Sequence, residues 1–125
     1  MLATRILREI WTGIKVATAD RRKLGAEIWR AAWEASGRDV RDCWFIRLTN
    51  HSDENLLVTR IWFETSPRAD VDRRQRRLPK ALAPGEAWET WLEVEKLPAE
   101  MRDRAHELAR ICLESGTVIR PQRAG

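Results

Sequence analysis

Two cysteines, two histidines and no apolar run long enough to cross a membrane set the first limits on this chain. A metal site needs three or four ligands at fixed spacing, and His51 and His106 stand far apart with no C-x-x-C or H-x-x-x-H companion. None of the six glycines forms a G-x-G cluster, which leaves out a phosphate-binding glycine loop. Arg5, Arg8, Glu9 and Lys15 interrupt every apolar run near the N-terminus, so neither a secretory signal nor a membrane span is expected there. The expectation that follows is a cytoplasmic chain with Cys43 and Cys112 reduced.

Catalytic combinations are equally thin. His51-Ser52-Asp53 are adjacent on a polar turn, whereas hydrolytic triads are assembled from distant segments. Cys43 would need a neighbouring base or a helix N-terminus to become a nucleophile. Glu89, Glu93 and Glu95 share one strand face at spacings suited to acid–base work, but alternating glutamates beside a basic loop also describe a solvated sheet face. The sequence therefore points away from an enzyme, and toward a chain with no cofactor and no small-molecule substrate.

What is present fits one folded domain. The chain has 125 residues, 43% hydrophobic and 34% charged. At that length roughly two-thirds of the unfolded surface is buried on folding, enough for a single core. Its 23 basic and 19 acidic residues, net +4, make a mixed surface rather than a basic sheath. Seven tryptophans are more than one small core needs, and tryptophan and arginine are the residues enriched at interface hot spots.

From Leu2 to about Ser36, Ile6, Ile10, Ile14, Ala17, Leu24, Ile28 and Ala32 recur at spacings of three, four or seven, with Trp11, Trp29 and Trp33 widening the stripe. That period predicts an amphipathic helix over residues 1–37, with Gly37 as its C-terminal stop. Gly13 and Gly25 leave open a break into two helices near Thr18 to Asp20.

After Gly37 the period changes from about 3.6 to 2. Trp44, Ile46 and Leu48 alternate with Phe45, Arg47 and Thr49; the turn Asn50 to Asn55 follows, then a strand Leu56 to Glu64. Between Thr65 and Pro84 the sequence reads mainly as loop, with a short strand at Ala69 to Asp72 and the basic run Arg73 to Arg77. Pro84-Gly85 forms a turn, and Ala87 to Glu95 is a strand with Trp88, Thr90, Leu92 and Val94 on one side and Trp91 among the glutamates on the other. Residues 98–114 satisfy both templates; the reading is a helical or irregular turn through His106, a strand from Glu107 to Glu114, a Ser115-Gly116 hairpin turn and a frayed tail from Pro121.

The strand running into Leu48-Thr49-Asn50-His51-Ser52, the strand Leu56 to Phe63, the Leu82-Ala83-Pro84-Gly85-Glu86 turn and the Ser115-Gly116 hairpin together resemble the small immunoglobulin-like β-sandwich modules found in many bacterial proteins. The resemblance covers residues 43–121 and implies a binding or structural module with no catalytic residue to carry over. The chain departs from true immunoglobulin domains in lacking a cysteine pair that flanks a core tryptophan. Cys43 shares parity with Arg47, and Cys112 with Arg110 and Glu114, which places both thiols off the core.

The fold class expected is thus α+β, a helical arm over 1–37 followed by an antiparallel immunoglobulin-like sandwich over 42–121. The function expected is non-enzymatic protein interaction or assembly, with a protein partner or a second copy held by Ile6, Ile10, Trp11, Ile14, Ile28, Trp29, Trp33 and Trp91. The alternative is nucleic-acid binding by Arg73, Arg74, Arg76 and Arg77, for which clustered arginines are suited but to which the segment adds no interleaved aromatic. Peripheral membrane contact through the basic, amphipathic N-terminal segment ranks third.

Overall fold

The computed structural model describes residues 23–35 and 39–124. The first strand already departs from expectation: Leu24–Ala35 is β1, paired along its whole length with β2, Asp39–Asn50, from Leu24↔Asn50 to Ala35↔Asp39. The strands β3 (Leu56–Phe63), β4 (Ala69–Asp70), β5 (Lys80–Leu82), β6 (Ala87–Glu93), β7 (Ala109–Leu113), β8 (Val118–Ile119) and β9 (Gln122–Arg123) complete the set. After β1, the helical elements among the described residues are 3-10 turns at Val94–Lys96 and Ala99–Arg104 and one α turn, α1, Ala105–Leu108.

These strands form two sheets. The first has the order β6-β2-β1-β9; the second has the order β4-β3-β7-β8, with β5 also paired to β3. Ala26, Ile28, Trp44, Ile46, Leu48, Trp88 and Leu92 of the first sheet and Val58, Ile61, Phe63, Leu82, Ile111 and Leu113 of the second belong to one buried cluster, an arrangement compatible with a β-sandwich. Both Trp44 and Trp88 fill that core as their parity requires. The Trp44 indole N–H donates to the Arg102 carbonyl at 2.9 Å, so burial leaves no orphan donor.

The α+β expectation is corrected on this point: no N-terminal helical arm is shown, and the segment expected to close the arm is a strand of the first sheet. Spacings of four in Leu24, Ile28 and Ala32 are even numbers, so they mark one face of a strand as well as one face of a helix. Ile6, Ile10, Trp11 and Ile14, the Thr18 to Asp20 break and Gly37 lie outside the described residues.

Turn chemistry follows expectation more closely. Gly85 adopts φ +79° after Pro84, and the Glu86 N–H donates to the Ala83 carbonyl at 2.9 Å, the closure of a tight turn. Gly116 takes φ +89° in the β7–β8 hairpin. Residues 99–108 are helical turns and β7 begins at Ala109, close to the reading made from the sequence. The segment after Pro121 is not frayed: Gln122–Arg123 pair in parallel with Glu27–Ile28, and the Ala124 N–H donates to the Ile28 carbonyl.

Candidate interaction surface

Strand alternation decides what the first sheet shows to the outside. With Ile28, Ile46 and Thr90 facing inward, Trp29, Phe45 and Trp91 face outward, and the register sets them side by side across β1, β2 and β6. All three are half-buried. Trp29 and Phe45 lie 5.7 Å apart with planes only 13° from parallel, and Phe45 and Trp91 lie 6.1 Å apart at 40°. Nearly parallel rings at that spacing overlap in an offset stack, because coplanar rings so close would collide. Trp29 and Phe45 thus cover part of each other's faces, while Phe45 and Trp91 meet at a tilt.

Charges border the row. One step along the strands, Glu27, Arg47 and Glu89 stand in register, with Arg47 Nε 3.9 Å from Glu89. One step the other way come Ala31, Cys43 and Glu93. Glu93 is almost fully buried and gathers three cations: Arg73 at 2.9 Å, Lys96 at 3.6 Å and Arg41 at 3.8 Å. Arg73 holds it with both terminal nitrogens and also donates to the Trp91 carbonyl at 3.4 Å, its guanidinium lying 4.5 Å over the Trp91 ring. Burial by itself would raise the Glu93 carboxyl. The Arg73 hydrogen bonds, a backbone hydrogen bond and the Arg73 and Lys96 charges outweigh it and hold the group down to about 2.

Cys43 lies beneath this clasp. It is fully buried even though its parity points it off the core, and burial, then the Glu93 charge, push its thiol up, away from nucleophile chemistry. Both cysteines are free. Beside the clasp, Asp72, Arg73, Arg74, Gln75, Trp91 and Lys96 line an open cavity of about 400 Å³.

The residues singled out from the sequence therefore divide. Trp29 and Trp91 are brought onto one surface, joined by Phe45, which sequence reasoning passed over. The signal available for Phe45 was its place between Trp44 and Ile46: an apolar residue on the polar parity of a strand. Ile28 is fully buried in the core and takes no part, and Trp33 stands on β1 opposite Arg41. Of the basic run, Arg73 is committed to Glu93, Arg77 approaches Asp72 at 3.9 Å, and Arg74 and Arg76 are exposed.

The catalytic combinations weighed earlier come apart. The Ser52 hydroxyl donates to the Asn50 side-chain oxygen at 2.7 Å, while the His51 ring lies against Gly25, where a Cβ would stand 2.5 Å from its Nε2. Glu89 pairs with Arg47, Glu93 is sequestered, and Glu95 leaves the strand in the following turn. Among the described residues no group of three His, Cys, Asp or Glu is placed to hold a metal ion, and no helix is long and apolar enough to cross a membrane. No family model, curated protein or solved structure matches the chain.

Proposed function

We propose that this chain is a non-enzymatic protein-interaction and assembly module, working through the outward face of its first sheet. The observation that carries the reading is the row Trp29–Phe45–Trp91, three aromatic side chains side by side on a surface rather than in a core. Clustered tryptophan beside arginine is the composition of interface hot spots, and a border of ion pairs is the usual rim around such a centre. With Trp29 stacked on Phe45 and Arg73 over Trp91, part of the aromatic area is already occupied within the chain, and the row offers apolar bulk suited to a protein surface.

The strand order supports an immunoglobulin-like form. Placing β1, β2 and β6 as the A, B and E strands and β3, β7 and β8 as C, F and G reproduces the A-B-E and C-F-G orders of such a sandwich, with no D strand beside β6 and with β9 added beside β1. Free thiols at Cys43 and Cys112 accord with a cytoplasmic location.

The test is the solution mass by light scattering across protein concentration, at low and high salt. The expected result is an assembly that persists at high salt, since its contacts are apolar, and that Phe45→Arg reduces to a monomer of unchanged melting temperature. A wild-type monomer under every condition refutes assembly through this face.

A further inference from the structure

On the outward face of the second sheet, Trp62 is opposite Asp70 on β4 and Arg110 on β7, and Arg60 is opposite Cys112. Continuing the alternation of β8 beyond Ile119 puts Arg120 beside Arg110, and the closeness of the two charges is felt: burial first, then Arg120, lowers the Arg110 pKa. Arg68 lies 4.4 Å over the Trp62 ring and Arg60 lies 5.3 Å from it. Trp62 itself is only 7% exposed, and its indole N–H donates to Glu64 at 2.9 Å. The acids on this face are Asp70, 3.8 Å from both Arg60 and Arg68, Glu64, Glu114, which follows the outward parity of Arg110 and Cys112 on β7, and Asp72, which is paired with Arg77. Four arginines against Asp70, Glu64 and Glu114 leave an excess of one positive charge; Arg110, whose Nη1 donates to the Glu107 and Ala109 carbonyls at 2.9 and 2.7 Å, and Arg120 have no ion-pair partner among the described residues.

We propose that this face binds the phosphate backbone of a single-stranded nucleic acid through Arg60, Arg68, Arg110 and Arg120. The guanidinium fork matches phosphate bidentately, and stacking on Trp62 fixes two of the forks before any ligand arrives. From β4 to β8 the cations follow a line across three inter-strand steps, roughly 14 Å. Trp62 is covered and unavailable for base stacking, so the site reads backbone without base preference. A membrane fits less well: the one large exposed apolar side chain here is Val118, and no aromatic protrudes to enter a bilayer. The surface is opposite the aromatic row and independent of it.

The experiment is fluorescence anisotropy of the full chain with labelled oligo-dT and oligo-dA over a salt series. Four phosphate contacts to a single strand give a log–log slope of about −3, roughly a fifty-fold loss of affinity from 50 to 200 mM salt. The two oligonucleotides should bind alike. Arg68→Gln with Arg120→Gln should bring the slope to about −1.4, and Arg68→Lys with Arg120→Lys should restore most of it, which separates charge from folding. Arg74→Gln, Arg76→Gln and Arg77→Gln together should change little. Loss of binding in that loop variant with retention in the face variant overturns the proposal, as does binding to phosphatidylserine vesicles without binding to oligonucleotide, or no salt-sensitive binding at all.

Discussion

Glu93 shows how one side chain ties distant parts of the chain together. It sits at the end of the edge strand β6, is nearly inaccessible, and is held ionised by Arg73 from the loop between β4 and β5. Its carboxyl falls from an ordinary 4.5 to about 2, so the folded state binds a proton less readily than the unfolded one. Stability from this group is therefore complete above about pH 4.5 and is lost as the pH falls toward 2, amounting to roughly 3 kcal/mol at most. Thermal melts from pH 7 to pH 2 should show Glu93→Gln destabilised at neutral pH and the gap to wild type closing across that acid window. A gap constant with pH removes Glu93 as the titrating group. Gly25 makes a smaller point of the same kind: the space a methyl group would take is filled by the exposed His51 ring, which must swing aside if alanine is introduced.

At the level of elements, the sandwich strands were legible and the first strand was not, and the reasons are physical. Trp44, Ile46 and Leu48 alternate with Phe45, Arg47 and Thr49, and Trp88, Thr90 and Leu92 with Glu89, Trp91 and Glu93, so a single aromatic breaks the outward parity of each strand and the buried face still shows. In β1 the outward face carries Trp29 and the inward face carries only Ala26 between Leu24 and Ile28. Apolar residues on both faces blur a period of two, and the spacing of four that remains suits either element. Pairing with β2 over twelve residue pairs then overrides any helical preference of the alanine-rich sequence. The candidate surface was half legible for the same reason: Trp29 and Trp91 stood out, but their adjacency required β1 and β6 to flank β2. Hydrogen exchange checks the assignment. Cys43–Thr49 of β2, hydrogen-bonded on both sides, should exchange slowest, and Gln122–Arg123 of β9 fastest among the strands of the first sheet. Rapid exchange throughout β1 counts against its pairing with β2.

Taken whole, the molecule has two unlike faces, aromatic on the first sheet and arginine-rich on the second, with the tether from Arg73 to Glu93 running along one side between them. That tether occupies the Trp91 carbonyl on β6, an outer strand of the first sheet. A strand edge with free carbonyls is a template for another chain to add to. Arg73→Ala should therefore increase thioflavin-positive aggregation on prolonged incubation at neutral pH, whereas Arg76→Ala should not. Equal aggregation of the two variants shows that the edge is guarded by something else.

A side chain that blocks lateral growth leaves stacking on the broad face as the open mode of contact. Stacking two such faces uses them up and comes to a halt, whereas strand-to-strand addition renews its own template with every copy. On the assembly proposed above, the guanidinium of Arg73 would separate finite complexes from fibres, a distinction that matters most where the protein is concentrated.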